Sequence, residues 1–412
     1  MTSLADWTLL MAEARNRVDL LCEKGFAGIK RTPLVHAARL SALAGCEIWI
    51  KLETLQATGS FKERGAFARL SLLDGAQRRR GVVAASAGNH AQGVARHAAS
   101  LGIEAVIFMP ETTPNVKVNR TRDLGARVEL AGCDFDETNA IAQDWCRDER
   151  RQFIHPFDDA DVIAGQGTIA TEMLEDRPDL ETLVMPVGGG GLAAGMSLAA
   201  RRVRSDIELI GVQSELFPAA HDAFHGVTTR GQGATLAEGI AVRQPGRLSQ
   251  RIINTQLDDI RLVDERQIER ALNLLLTEMK LLAEGAGATG LAAILADPDR
   301  YRGKQVGLVL TGGNVDTRLL SSLLLRDLAR SHRLARLRIA LMDVPGQLSS
   351  VSDLIAREGG NVTDVAYHRT FSDLPAKLTY IDISLEAQDA DHMNRIYAKL
   401  GEAGFNVEFA DY

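Results

Sequence analysis

Residues 81–101 read GVVAASAGNHAQGVARHAASL and determine the fold class, because an apolar run passes through a short polar turn into a helical pattern. Residues 81–86 are apolar almost throughout, which is typical of a strand buried on both faces of a parallel sheet. Residues 90–101 then form a helical pattern. A strand, a tight turn and a helix in this order predict one repeat of a doubly wound α/β fold.

Similar apolar runs recur up to residue 310 and alternate with helical patterns such as residues 264–282. The predicted strands are residues 47–53, 81–86, 104–109, 127–130, 182–187, 208–213 and 305–310. Glycine-rich or polar turns follow three of them directly, at residues 86–93, 188–191 and 311–314. Because ligands bind at the carboxyl ends of parallel strands, the three turns predict one shared cleft.

The pattern changes near residue 330, where the basic segment RSHRLARLR begins. The predicted elements after it are a strand at 337–342, a helix at 346–358, strands at 361–369 and 377–385, a helix at 391–403 and a strand at 405–410. This βαββαβ order predicts a ferredoxin-like module of the size of a small domain.

The composition excludes several classes of function. The chain has 412 residues, a net charge of −7 and only 5% aromatic residues, with no basic stripe, so we expect no binding to nucleic acid. The cysteines have no ligand-like spacing, so we expect neither a zinc site nor disulfides; they are Cys22, Cys46, Cys133 and Cys146. Residues 1–17 form an amphipathic helical pattern without the features of a signal peptide, which predicts a cytoplasmic protein.

An uncharged stretch at residues 182–200 is long enough to suggest a membrane span. It contains Pro186 and four consecutive glycines, however, and such a backbone would be held poorly as a helix in lipid. We therefore interpret it as a buried strand, a glycine loop and a helix, and we expect no association with a membrane.

Lys62 is the first candidate for chemistry, within the segment SFKERGA at residues 60–66. A lysine that forms a Schiff base must lose its proton readily, and burial beside apolar groups such as Phe61 and Ala66 favours this. Taken alone, the segment fits a solvated lysine at the start of a helix better than it fits a catalytic lysine.

The three turns are the other candidates. Small residues at 86–93 allow backbone amides to approach an anion, and Asn89 can both donate and accept hydrogen bonds. The glycines at 188–191 form a loop of unhindered amides that suits a phosphate, and no lysine or arginine lies between Pro186 and Ala200. Thr311 offers a neutral hydroxyl. Each turn alone is also compatible with an ordinary connection between elements.

The segments SFKERGA, SAGNHAQG, GGGG and TGGN in this order resemble the threonine/serine dehydratase group of the fold-type II pyridoxal 5′-phosphate (PLP) enzymes. Thr32-Pro33-Leu34, HPFDD at 155–159 and GQGT at 165–168 are similar to that group as well. The resemblance covers roughly residues 15–325. It implies a two-lobed catalytic region over residues 1–328, with a smaller lobe at about 55–150. Residues 333–412, with DVPGQL at 343–348, resemble an ACT domain, a module that often binds amino acids.

The resemblance implies a role for each motif. Lys62 would carry PLP through a Schiff base and remove the substrate Cα proton as the catalytic base. The remaining cofactor-binding residues would be Phe61, Asn89, Thr311 and the phosphate-binding glycines Gly188, Gly189, Gly190 and Gly191. The turn residues that would bind the substrate are Ser86, Ala87, Gly88 and His90.

The implied reaction is the loss of water and then ammonia from a β-hydroxy amino acid. Threonine is the first choice of substrate. Thr311, unlike a carboxylate, would not hold the pyridine nitrogen protonated, which favours elimination. Ala87 cannot transfer a proton where similar serine racemases place a serine. Serine or 3-hydroxyaspartate as substrate remains open, and so does a catalytically silent amino-acid sensor.

The tail and the metal content carry further expectations. The ACT-like tail would either bind an amino-acid effector or serve only to assemble a homo-oligomer. We expect the homo-oligomer to be a dimer or a tetramer. Some relatives hold a cation through an acidic residue after a late strand, but Gln213 occupies the similar place here, with Glu215 nearby. We therefore expect no metal.

Overall fold

The computed structural model describes residues 29–368, 375 and 377–410. These residues form two compact units, the first ending at Val315 and the second beginning at Asp316. The amphipathic pattern at residues 1–17, Cys22 and the last residue of the strand predicted at 361–369 lie outside the described residues.

The strands of the first unit are short and mostly buried. They are β1 (Leu34–His36), β2 (Glu47–Leu52), β3 (Val82–Ala85), β4 (Ala105–Met109), β5 (Arg127–Leu130), β6 (Gln152–Phe153), β7 (Thr182–Pro186), β8 (Glu208–Ser214), β9 (Asp259–Val263) and β10 (Gln305–Leu310). Each strand predicted up to residue 310 is present, with bounds that differ by one residue at most, whereas the strand predicted at 337–342 begins three residues earlier. The prediction omitted β1, β6 and β9.

The strands form two sheets, one in each lobe of the unit. The larger sheet has the order β1-β2-β10-β7-β8-β9, and its pairs are parallel except for β1 with β2. The smaller sheet has the order β5-β4-β3-β6 and is parallel. The predicted α/β class and the doubly wound, two-lobed architecture are confirmed.

Helices cover the sheets and connect the parallel strands. In the first unit they are α1 (Ala38–Ala44), α2 (Lys62–Ser71), α3 (Gly75–Arg80), α4 (Asn89–Ser100), α5 (Asn115–Asp123), α6 (Phe135–Asp148), α7 (Ala160–Asp176), α8 (Gly191–Val203), α9 (Ala219–His225), α10 (Arg247–Gln256), α11 (Glu265–Met279), α12 (Gly285–Ala296) and α13 (Pro298–Tyr301).

Strand β3 shows why the opening segment is apolar throughout. Val82 and Ala84 pack into the hydrophobic cluster on one face of the smaller sheet, whereas Val83 and Ala85 pack into the cluster on the other face. All four residues are fully buried. A strand covered on both faces has no exposed position that a polar residue could occupy.

The uncharged stretch at residues 182–200 is divided as the sequence predicted. It comprises β7, the glycine loop and most of α8, and its strand residues are fully buried. Among the described residues, no helix has the length and apolar character needed to cross a membrane.

The second unit contains α14 (Thr317–Arg330), β11 (Leu334–Met342), α15 (Gln347–Arg357), β12 (Asn361–His368), β13 (Leu378–Glu386), α16 (Ala390–Glu402) and β14 (Asn406–Phe409). Its antiparallel sheet has the order β12-β13-β11-β14. This is the predicted ferredoxin-like module, preceded by α14. Helix α15 begins directly after Gly346, whose φ of 95° is favourable for glycine.

Candidate active site

Lys62 is the first residue of α2, and the loop before it is joined to the segment that follows β10. The amide of Phe61 donates to the carbonyl oxygen of Thr311 at 3.0 Å, and the amide of Gly313 donates to that of Gly59 at 3.0 Å. Ser60 and Gly312 form an isolated antiparallel bridge between these two bonds. The predicted lysine and the predicted threonine are therefore held side by side.

The Lys62 side chain lies near a polar backbone group and an aromatic ring. Its Nζ donates to the carbonyl oxygen of Pro156 at 2.8 Å and lies 5.3 Å from the centre of the Phe61 ring. Burial lowers the pKa of Lys62 to about 8, and the carboxylate of Glu284 opposes this shift. About a tenth of the amine is then unprotonated at pH 7, and this is the form that acts as a nucleophile or a base.

Asn89 begins α4 and contacts Glu284 in the cleft. The Asn89 Nδ2 atom lies 3.0 and 2.9 Å from the two carboxylate oxygens of Glu284. Its Oδ1 accepts a hydrogen bond from Nδ2 of Asn314 at 2.7 Å, and the Nδ2 of Asn314 also donates to the carbonyl oxygen of Thr58. Two predicted motifs, SAGNHAQG and TGGN, therefore meet at Asn89.

Glu284 is a site residue that the sequence analysis missed. Burial raises its pKa to about 6, although the hydrogen bond from Asn89 and the charge of Lys62 act in the opposite direction. A carboxyl group with a shifted pKa beside a candidate catalytic amine is typical of a functional site. One signal was available, since Glu284 is the only charged residue between residues 281 and 296.

The four glycines form the loop between β7 and α8, and no side chain would fit there. A Cβ atom would lie 2.9 Å from Ile240 at Gly188, 2.4 Å from the Phe157 ring at Gly189, 2.9 Å from Ser249 at Gly190 and 2.6 Å from the Phe157 carbonyl oxygen at Gly191. Gly190 also has a φ of 95°. The bare amides lead into the N-terminus of a helix of 13 residues, an arrangement that suits a phosphate.

Thr311 lies at the end of β10 and is 2% exposed. Its Oγ1 atom has no hydrogen-bond partner among the described residues. A buried hydroxyl without a partner is unusual in a folded protein and suggests that a ligand completes it. This observation fits a neutral hydrogen bond to a ring nitrogen.

The turn after β3 holds the predicted substrate residues. Ser86, Ala87 and Gly88 are partly exposed, and the Gly88 amide donates to the Ser86 Oγ at 3.1 Å. His90 is 3% exposed, and its Nε2 lies 2.9 Å from the carbonyl oxygen of Ile154. Burial, together with the nearby charge of Lys62, lowers the pKa of His90 to about 3, so its ring is uncharged.

A metal site is not evident in the described part of the chain. No group of three or more His, Cys, Asp or Glu residues there could hold a metal ion. Gln213 is fully buried at the end of β8, and its Oε1 accepts a hydrogen bond from the amide of His221.

The geometry fits PLP at each of its polar groups. Lys62 offers a largely buried amine for the aldehyde, the glycine loop offers amides for the phosphate, and Thr311 offers an unpaired hydroxyl for the ring nitrogen. Phe61 lies beside the Lys62 amine, and Asn89 lies beside Glu284. The residues at these positions therefore fit the cofactor that the sequence resemblance implied.

Comparison with known proteins places the chain in a family. Residues 26–312 match the model of the pyridoxal-phosphate-dependent enzymes, so the chain belongs to that family and PLP is its cofactor. An L-threonine ammonia-lyase of Thermotoga maritima is 42% identical over 381 residues, which cover 92% of this chain and 95% of the relative.

Solved structures of similar proteins agree with this assignment. The processed form of threonine deaminase isoform 2 from Solanum lycopersicum matches with a TM-score of 0.70 at 30% identity, covering 78% of this chain and 88% of that protein. Maize serine racemase matches with a TM-score of 0.68 at 28% identity, covering 77% of this chain and 98% of that protein.

Proposed function

We propose that this protein is a threonine ammonia-lyase, which converts L-threonine to 2-oxobutanoate and ammonia and converts serine more slowly to pyruvate. The observation that carries the proposal is the backbone pairing of the loop before Lys62 with the segment at Thr311, whose buried neutral hydroxyl has no partner among the described residues. The names of the Thermotoga and Solanum relatives support the choice of threonine.

Lys62 supplies the base of the proposed reaction. PLP, when bound, withdraws electrons from the substrate Cα and so makes its proton acidic. With a pKa of about 8, the Lys62 amine can accept that proton near neutral pH and release it again. The carbonyl oxygen of Pro156 holds the amine in place at 2.8 Å.

The turn after β3 would bind the substrate carboxylate. Ser86, Ala87 and Gly88 are partly exposed at the carboxyl end of a parallel strand, where backbone amides and a hydroxyl can meet an anion. His90 supports the turn as a neutral residue through its bond to Ile154. We propose that it shapes this part of the site and that it does not supply charge.

The match to maize serine racemase raises a second function of the same fold. Racemisation needs an acid on the side of the substrate opposite to the base. Ala87 has only a methyl group and cannot donate a proton from that side. The site therefore favours elimination over racemisation.

The substrate assignment has a direct test. We expect purified protein to form 2-oxo acid from threonine and serine, with the higher kcat/KM for threonine, and little from 3-hydroxyaspartate. Lys62→Ala should lose this activity together with the visible absorbance of the bound cofactor. A variant with the turnover of the wild-type protein would refute the role of Lys62.

We propose that the ferredoxin-like unit is an ACT-like regulatory module of a cytoplasmic homo-oligomer and that it binds an amino-acid effector. The 381-residue match to the Thermotoga relative extends into this unit, so that relative shares at least part of it. Assays of the full chain with and without isoleucine, valine or threonine analogues, with the oligomeric state measured in parallel, test the proposal. An effector should change substrate affinity by roughly 5- to 150-fold, whereas a module used only for assembly would leave it unchanged.

A further inference from the structure

Helix α4 packs against α2, and the cofactor-binding residue Asn89 is the first residue of α4. Asn89, Gly93 and His97 are spaced four residues apart and therefore lie on one side of the helix. At Gly93 the helices approach so closely that a Cβ atom would lie 3.3 Å from the carbonyl carbon and oxygen of Lys62. The position of α4 along α2 thus determines where Asn89 lies relative to Lys62.

His97 forms a buried polar contact with the residue that follows Lys62. Its Nε2 lies 2.9 Å from Oε2 of Glu63, and the two side chains are 3% and 2% exposed. The other carboxylate oxygen of Glu63 accepts the amide of Thr58, in the loop that leads to Lys62. One carboxylate therefore joins α4, α2 and this loop.

Glu63 is charged in this environment. Burial acts to raise its pKa, but the hydrogen bonds from His97 and Thr58 outweigh burial and hold the pKa below the usual value. Arg96 adds a positive charge, with its Nε 3.6 Å from Oε2. A buried carboxylate has a strong requirement for such donors, so the removal of one should displace the groups around it.

We propose that Glu63 and His97 are positioning residues, which fix α4 along α2 and thereby set the distance between the amide of Asn89 and the amine of Lys62. Within the part of the chain that the structure describes, the side chains of Glu63 and His97 bond to each other, and Glu63 also bonds to Thr58 and pairs with Arg96. Gly93 allows α4 and α2 to approach closely, but it has no side chain that could prevent α4 from shifting along α2. The hydrogen bond between His97 and Glu63 would prevent such a shift. The proposal depends on PLP binding at Lys62 and not on which amino acid is the substrate.

Two substitutions of His97 separate the hydrogen bond from the packing of the ring. Both His97→Leu and His97→Gln lose the edge contact with the Phe67 ring, whose centre is 5.2 Å away. Glutamine can still donate to Glu63 from nearly the same place, whereas leucine cannot. Val94→Ala, a fully buried change in the same helix, serves as a control for a general loss of stability.

The variants are compared by titration of the cofactor-free protein with PLP, followed through the visible absorbance, and by kcat. We expect His97→Leu to shift the absorbance band and to weaken PLP binding and kcat by about tenfold each, the effect of one lost hydrogen bond to a charged group. His97→Gln should stay within about twofold of the wild-type protein, and Val94→Ala should lower only the melting temperature.

The comparison requires that His97→Leu and Val94→Ala lower the melting temperature to the same extent. The proposal is overturned if the two variants then bind PLP with equal affinity and show the same absorbance band. It is also overturned if His97→Gln is as impaired as His97→Leu. Should His97→Leu fail to fold, His97→Asn replaces it, because the shorter amide cannot reach Glu63. If the wild-type protein binds PLP normally but does not act on threonine, the proposed substrate is wrong. The positioning roles of Glu63 and His97 are then judged from the PLP titrations and absorbance spectra of the variants.

Discussion

Asn89 and Glu284 face each other across the cleft, and the Asn89 amide nitrogen lies 3.0 and 2.9 Å from the two Glu284 oxygens. Asn89 belongs to the smaller lobe, whereas Glu284 precedes α12 beside the larger sheet. A carboxylate at this point acts on two predicted site residues, because it accepts hydrogen bonds from Asn89 and acts to raise the pKa of Lys62. The electrostatics of the amine therefore depend on a residue that lies far away in the sequence.

Glu284→Gln should lower the pKa of Lys62 below its value of about 8, because the substitution removes the negative charge that opposes the effect of burial. Only the unprotonated amine reacts with PLP, so the rate of PLP binding rises with pH through this pKa. We expect the half-maximal rate near pH 8 in the wild-type protein and at a lower pH in the variant. An unchanged or higher midpoint, measured by stopped-flow absorbance, would contradict the role of Glu284.

Gly191→Ala should weaken PLP binding strongly without preventing folding. An added Cβ would lie 2.6 Å from the Phe157 carbonyl oxygen and 2.9 Å from its Cα, so the backbone of the loop must move. Gly401→Ala is a matched control, because nothing lies within 4 Å of a Cβ at that position in α16. Equal PLP affinity of the two variants, measured by absorbance titration, would show that the loop does not hold the phosphate.

Arg64→Met should destabilise the protein by about 3–5 kcal/mol, the cost of leaving buried carboxylates without their partner. Arg64 is fully buried and forms ion pairs with Glu53 at 2.8 Å and Glu172 at 2.6 Å. The control is Arg31→Met, since the Arg31 side chain is 51% exposed and its pairs should contribute less than about 1 kcal/mol. The free energy of unfolding from urea denaturation measures both. Equal losses would mean that the buried network contributes no more than a surface pair.

Ala87→Ser should give the protein some serine racemase activity, because a hydroxyl at this position supplies the acid that the methyl group lacks. The position is partly exposed in the cleft, so a serine can be accommodated there. Chiral chromatography of the residual serine after incubation detects the product. If D-serine does not accumulate above the level of the wild-type protein, our interpretation of Ala87 is wrong.

The sequence predicted the strands well where both faces are buried. Strands β3, β4 and β10 are apolar because helices cover them on both sides, and such runs are visible without any structure. The strands that were missed give a weaker signal. Strand β6 has two residues, β1 has three, and β9 has only two buried residues within DIRLV.

Two further differences concern helices. Helix α12 reads GAGATGLAAILA, and its glycines disfavour a helix in isolation, but ten of its residues are buried and tertiary packing overrides that preference. The helix predicted at 264–282 ends at Met279, because Lys280 adopts a left-handed conformation with a φ of 58°. No glycine or asparagine marks this end in the sequence, so the prediction ran past it.

The site was predictable as a set of motifs but not as a set of contacts. Lys62, Thr311 and the glycine loop were identified because each has an unusual local sequence. Glu284 and His97 have no such sequence, and their importance arises from burial and from partners that are distant in the chain. Interactions between residues so far apart depend on how the elements pack and cannot be deduced from spacing.

The place of β10 in the larger sheet, between β2 and β7, has a consequence for biosynthesis. Lys62 follows β2 in the chain, and the glycine loop follows β7. During translation, both leave the ribosome long before β10, which lies between these two strands in the sheet and leads into Thr311. Until that strand is inserted, the lysine-bearing loop lacks the partners that hold it. A nascent chain should therefore be unable to capture the cofactor until nearly the whole first unit has been made.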